Sequence, residues 1–338
     1  MTGIAAPDFR HLLQLSDGRG TFEHARFTEP RREGGYCTDD MARVLVVAAR
    51  EPEPSGAVHG LIGLSLDFLT SAQSPDGAYR NRRDRNGGWC DEPTLDDCWG
   101  RSLWGLGVAA AHCGPGPIRE RALAEFERGA RRRSPWPRAM AYGVIGAAEI
   151  LIADPRNVVA HSLLADAAGQ MGRARDRAWA WPEERLAYAN AVLPEAMIAA
   201  GWALGREELA ADGLTLLGWL LEHETRNGHL SVTPVGGAAE GDRGPAFDQQ
   251  PIEVACLAEA CARAGRLDDS EQWVAGIAAA SAWFCGDNDA AQLMWDPDGG
   301  GGYDGLHKRG VNTNQGAESS LALLATQQHA RHLTGVAT

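Results

Sequence analysis

Six times along this chain a stretch rich in Gly, Trp, Pro and acidic residues runs into a compact polar cluster, and each cluster opens a run of Ala, Leu and Val at helical spacing. The clusters are Thr38-Asp39-Asp40, Asp96-Asp97-Cys98, Pro137-Arg138-Ala139, Tyr188-Ala189-Asn190, Asp248-Gln249-Gln250 and Asn314-Gln315-Gly316, about 40 to 70 residues apart. Apolar periodicity predicts helices at 4–16, 38–50, 57–73, 97–113, 117–132, 136–152, 156–176, 189–205, 207–224, 247–265, 268–285 and 315–333. Strand signals are few, at 78–82, 230–235 and 294–295, each close to a turn sequence.

The links between these helices alternate in length. Short ones (52–56, 114–117, 153–155, 205–208, 265–269) make helical hairpins, whereas 17–37, 74–96, 177–188, 225–246 and 286–314 are long. A shorter, strongly punctuated turn lies at 131–137. Long loops in a compact domain usually carry function. Every second helix therefore starts at one face beneath a long loop, which predicts an all-α fold: a six-hairpin (α/α)6 barrel, or toroid, with short β-hairpins in the mouth loops. The expectation is a single domain over 1–338, with helix 4–16 packed beside 315–333 to close the ring. Converging helix N-termini would make the mouth favourable for carboxylates and bound oxygens.

Composition narrows the function. Lys+Arg 32 against Asp+Glu 45 gives a net charge of −13, which argues against a general electrostatic grip on nucleic acid or an anionic membrane. Lys308 is the only lysine, so a Schiff-base mechanism has one candidate nucleophile, in a Gly-rich loop. No run of about 18 apolar residues occurs, and the start has no basic and apolar signal pattern, so a cytoplasmic protein is expected. The seven cysteines form no C-x-x-C or C-x-x-H pair, which predicts reduced, mostly buried thiols, with no metal and no cofactor. A zinc site using Cys256 or Cys261 has no support in their spacing.

Five constellations can carry chemistry. In 34–43, Asp39 and Asp40 follow Gly-Gly, and Arg43 lies a helical turn on; the alternative is a plain helix cap with first-turn acids. In 89–101, Trp89, Asp96, Asp97, Trp99 and Arg101 repeat that logic, with aromatic rings able to stack on a sugar face. In 179–190, Trp181, Glu184 and Asn190 stand out; in 246–253, Asp248, Gln249, Gln250 and Glu253 offer hydroxyl recognition and a carboxylate. The last segment, 286–319, holds Trp295, Asn314, Gln315 and Glu318, the last expected to point inward one turn below Asn314. His24 and His307 lie in the mouth loops, where solvated histidine is the ordinary state. No H-E-x-x-H, G-x-S-x-G or phosphate-binding glycine loop is present.

Together the motifs REGGYCTDDMAR, DDCWGRSLWGLG, SPWPRAMAY, YANAVLPEA, FDQQPIEVACLAEA and VNTNQGAESSLALL resemble bacterial proteins of the six-hairpin glycosidase-like superfamily, over about 22–324. Such proteins often carry a glycosyltransferase label because related domains occur beside or fused to glycosyltransferases, yet no nucleotide-sugar fold is evident here. The resemblance implies an α/α barrel acting on or binding a glycan. Two positions depart from its pattern: Met41 stands where Asn is usual, and Cys98-Trp99 where Ser-His is common.

The reading is a glycoside hydrolase, or a phosphorylase, acting on a short oligosaccharide through two carboxylates. Asp40 and Asp97 are the expected pair, with Glu318 and Asp248 as competitors and acid against base unassigned. Asp39, Arg43, Arg101, Gln249, Gln250, Asn314 and Gln315 are expected to position the substrate. Its rivals are a sugar isomerase or epimerase on the same barrel, a terpene-cyclase-like enzyme, and a non-catalytic glycan-binding module using Trp89, Trp181 and Trp295.

Overall fold

The computed structural model describes residues 6–171, 179–242 and 244–334. Six helices are buried nearly all round and pack in a closed circle: α2 (Thr38–Ala49), α4 (Asp97–His112), α6 (Pro137–Ala153), α8 (Val192–Ala203), α10 (Pro251–Ala264) and α12 (Ala317–Thr334), with α12 returning against α2. In α6 every residue from 138 to 151 is buried. Outside this ring lie α3 (Gly56–Ala72), α5 (Pro117–Gly129), α7 (Val158–Ala168), α9 (Glu207–His223) and α11 (Glu271–Phe284), each joined by a short link to the inner helix it follows. These outer helices bury one stripe; in α5 only Ala122, Glu125, Phe126 and Gly129 are buried. The all-α, six-hairpin barrel expected from the loop alternation is the observed fold, with its short hairpins in the mouth loops.

Several helix boundaries differ from the periodicity, for local reasons. The N-terminal helix α1 is Arg10–Gln14, shorter than 4–16, and begins where the Asp8 side chain accepts the Arg10 N–H at 3.0 Å. It packs against α12 on the outside of the ring. Helix α10 begins at Pro251 rather than 247 because a residue before proline is pushed out of the helical region; Gln250 has φ −106° and ψ 136°. Helix α8 begins at Val192 rather than 189, since Ala189 has φ +46°. The expected helix 156–176 is observed as Val158–Ala168, and its end at 172–176 lies outside the described residues.

Backbones approach most closely between α4 and α6. A Cβ on Gly107 would lie 2.3 Å from the Gly146 carbonyl oxygen, and one on Gly146 would lie 2.2 Å from that of Leu103. Glycine is required there to let the two inner helices pack.

The strands are two-residue or three-residue pairs over the mouth. Tyr36–Cys37 pairs with Arg82–Arg83, which stitches the loop before α2 to the loop before α4. Gly305–His307 pairs with Gly310–Asn312 ahead of α12. Around the expected strand 78–82, Tyr79 is bridged to Gln73 and Thr94; around 230–235, Pro234 is bridged to Gln249; and Trp295 is bridged to Gly302.

Beneath the mouth the barrel interior carries a buried ionic network. Arg263 donates to Glu149 and Glu195, at 2.9 Å each, and Arg50 meets Glu259 at 2.5 Å, with the His329 ring 3.1 Å from the same carboxylate. Burial raises the Glu149 carboxyl, but Arg263 and Arg50 outweigh it and hold it below its usual range. Glu195 is pushed up to about 7, because burial outweighs Arg263. All seven cysteines are free thiols, and no described helix is long and apolar enough to cross a membrane.

Candidate active site

The N-termini of α2 and α12 and the loops before them enclose a polar cavity of about 380 Å3. Its lining includes Glu23, His24, Cys37, Asp39, Asp40, Arg43, Arg82, Arg101, Gln250, Asp304, Asn312, Glu318 and Ser319.

Asp40 sits in the first turn of α2 and is 2% exposed. Arg43, three residues on, donates to it at 2.7 Å and reaches Glu318 of α12 with its other nitrogen at 2.8 Å. The Cys37 thiol, at the helix N-cap, donates to the second Asp40 oxygen at 3.1 Å. Burial pushes the Asp40 carboxyl up to about 6; Arg43 opposes this, and the neighbouring Glu318 and Glu23 add to it. Burial and the same acids hold the Cys37 thiol well above its usual range, so it is a proton donor to Asp40 rather than a thiolate.

Asp39 pairs across to α4. Arg101, one turn into α4, meets Asp39 at 3.1 Å and Asp97 at 3.2 Å, and lies 5.1 Å from the Tyr142 ring centroid. Asn81 donates to Asp39 at 3.0 Å, and the Tyr188 hydroxyl donates to Asp97 at 3.2 Å. Arg101 thus ties the N-termini of two inner helices together. Asp304 accepts from the Gly316 N–H at 2.7 Å and the Ser319 hydroxyl at 2.9 Å; burial raises its carboxyl above the usual range.

Of the residues singled out from the sequence, Asp39, Asp40, Arg43, Arg101, Gln250 and Glu318 come together around this cavity. Asp97 is bound behind Arg101, and Asp248 faces His307 at 3.6 Å; neither is part of the lining. Asp96 is an exposed N-cap residue and Glu184 is exposed. The others are framework, which corrects the contacts expected of them. Trp99 is fully buried and donates its indole N–H to the Gly129 carbonyl at 3.1 Å. Trp181 is fully buried and stacked with Trp219, so no ring face is open to a sugar. Trp89 packs on Phe68 beneath Arg83, and Trp295 is half-buried against the core. Asn190 and Glu253 form one network: Glu253 accepts from the Ala189 N–H at 2.5 Å and the Asn190 side chain at 3.2 Å, and burial pushes it up to about 7. Gln249 is buried on Asp289 at 2.7 Å, Gln315 is buried on Asp296 at 3.3 Å, and the Asn314 side chain accepts the Phe27 N–H at 2.9 Å. Each of these amides holds a loop in place.

Glu23, Arg82 and Asp304 were not singled out from the sequence. Glu23 and Arg82 form an ion pair across two loops, and no local pattern marks either. Glu23, Cys37 and Asp40 each bring one ligand-type atom within 4.8 Å of the others, the one such convergence among the described residues. Arg82 and Arg43 already supply counter-charge to its carboxylates, so the set is a poor holder for a cation.

No protein-family model matches the sequence, and no curated protein is similar to it. Solved structures share its fold. A cellobiose 2-epimerase from Bacillus thermoamylovorans is similar with a TM-score of 0.71 at 10% identity, covering 96% of each chain. A D-mannose isomerase gives 0.66 at 11% identity over 96% of this chain and 95% of that one. A GH76 α-mannanase from Bacteroides thetaiotaomicron gives 0.60 at 10% identity, over 89% and 87%. At such identities the likeness is one of fold: the chain has an (α/α)6 barrel.

Proposed function

We propose that this protein is a carbohydrate-active enzyme, a glycoside hydrolase or phosphorylase that cleaves a short oligosaccharide at the barrel mouth with Asp40 as the proton donor. The observation that carries this reading is the buried Asp40 carboxyl, raised to about 6, on the wall of a polar cavity of about 380 Å3. An acid titrating there keeps part of its proton near neutral pH, as a leaving glycosidic oxygen requires. The cavity falls within the usual range for small-molecule sites, about 300–1,000 Å3. Gln250, Asn312 and Ser319 offer neutral donors and acceptors for hydroxyls. Asp97, Glu318 and Asp248 remain the sequence-derived choices for the second carboxylate, and Glu318 is the one that lines the cavity. The sugar epimerase, isomerase and mannanase with this barrel support a carbohydrate substrate.

Reducing-end release from a panel of α- and β-linked manno-, gluco- and galacto-oligosaccharides, with and without phosphate, tests the proposal. Asp40→Asn is expected to lower kcat by about 10²–10⁴-fold, the usual worth of a positioned acid. Phosphate dependence separates phosphorolysis from hydrolysis. Unimpaired cleavage by the variant would refute the role of Asp40.

A sugar isomerase or epimerase is the second reading, favoured by one observation. His24 stands at the cavity wall 3.7 Å from Glu23, where a proton could be moved on a ring-opened sugar. Deuterium wash-in from D2O at the carbon beside the carbonyl, without bond cleavage, would identify it. Among the described residues no Phe, Tyr or Trp ring lines the cavity, which disfavours a carbocation chemistry such as terpene cyclisation. With Trp181 buried and Trp89 covered, a module that binds glycans by stacking is also disfavoured.

A further inference from the structure

Asp40 needs a carboxylate partner, and one comes from outside the helical wall. Glu23 lies in the loop before α2, where its position is fixed from both ends of its peptide. Its N–H donates to the Gly35 carbonyl at 3.2 Å, and its carbonyl accepts the Ala317 N–H at 3.0 Å, at the start of α12. Glu23 is therefore clamped between the two helices that carry Asp40 and Glu318.

Its side chain is 16% exposed and forms an ion pair with Arg82. Arg82 is itself held, because its N–H and that of Asn81 both donate to Asp91, at 3.0 and 2.7 Å, and its strand pairs with Tyr36–Cys37. One oxygen of Glu23 and one of Asp40 lie within 4.8 Å of each other. Paired carboxyl groups about 5–5.5 Å apart belong to retaining glycosidases, whereas inverting ones stand about 6.5–9.5 Å apart to hold a water between them. Approaching oxygens within 4.8 Å of each other fit the shorter, retaining spacing. The two groups also differ in environment as the chemistry demands, Asp40 buried with a raised pKa and Glu23 beside a guanidinium.

We propose that Glu23 is the nucleophilic partner of Asp40, so that the enzyme retains anomeric configuration; this rests on the hydrolase reading above. In the first step the Asp40 proton passes to the glycosidic oxygen, which leaves with the electron pair of its bond to the anomeric carbon, and a Glu23 oxygen bonds to that carbon. In the second, water attacks the anomeric carbon, its proton passes to the Asp40 carboxylate, and the bond to Glu23 breaks. The sum is one glycoside and one water giving a reducing sugar and an alcohol, with both side chains restored.

The test begins with the intact wild type. Proton NMR of a cleaved panel substrate, read before mutarotation, is expected to show a product of the same anomeric configuration. Glu23→Gln is expected to lose turnover while keeping its thermal unfolding temperature. Glu23→Gly with added azide is expected to recover turnover and release a glycosyl azide of inverted configuration, which a merely structural role would not produce. An inverted product from the wild type, or Glu23→Gln with wild-type kcat, overturns the pairing and leaves the hydrolase reading standing. A wild type that cleaves nothing on the panel overturns that reading and the pairing with it.

Discussion

Replacing Arg263 with methionine strikes the barrel below the site. The Arg263 guanidinium is 11% exposed and stands between Glu149 and Glu195, whose side chains are 3% and 5% exposed. Methionine fills much of the same volume but leaves two buried carboxyls without that counter-charge. Removing one partner of a buried ion pair costs about 3–5 kcal/mol. At about 2.1 cal/mol/K per residue, 338 residues unfold with an entropy of about 0.7 kcal/mol/K, so Tm should fall by about 4–7 °C. The sign with pH follows from Glu195, whose folded value of about 7 lies above the ordinary 4.5. A carboxyl raised in the folded state supports folding most when protonated; its contribution is full below about 4.5 and is lost as pH rises through 7. Without Arg263 both carboxyls rise, Glu195 further above its ordinary value and Glu149 from below it, so the variant's deficit should be larger at pH 8 than at pH 5.5. Differential scanning calorimetry at both pH values measures it. Adding Glu149→Gln and Glu195→Gln to Arg263→Met should recover most of the loss, since a neutral interior is often as stable as an ionic one. A deficit that is equal at both pH values, or that the triple variant does not relieve, would refute the electrostatic account and leave packing as the cause.

Other expectations follow from the cavity and the helix contacts. If Asp40 is the acid, kcat/KM should fall as pH rises through about 6, and the limb should be absent from the residual activity of Asp40→Asn. Arg101→Lys keeps the charge but cannot span Asp39 and Asp97, so KM or kcat should worsen while Tm falls, read by steady-state kinetics beside calorimetry. Gly107→Ala puts a Cβ 2.3 Å from the Gly146 oxygen and should destabilise by about 1–3 kcal/mol in denaturant titration. Trp181→Phe should lower stability without changing sugar affinity measured by calorimetric titration, because the ring is buried against Trp219.

The architecture was legible because its signals are local. Helical periodicity, proline at the first position of α6 and α10, and the alternation of short with long links are properties of neighbouring residues, and they order the twelve helices into an inner and an outer ring. The acids in the first turns of α2, α4 and α12 were legible for the same reason, as helix starts beneath loops. Residue type alone could not tell a tryptophan that meets sugar from one that fills the core: Trp99 and Trp181 sit beside acids in sequence, yet both are spent on burial. Nor could it tell a free amide from one that holds a loop, as with Gln249 and Gln250, adjacent in the chain and opposite in fate. The amino-acid sequence by itself determined the barrel and the helix ends that face its mouth, since 3.6-residue periodicity and capping act over a single turn. Only the tertiary structure decided which carboxylates share a cavity, because Glu23, Arg82 and Asp304 arrive on separate loops whose approach is set by strand pairing and helix packing across the whole ring.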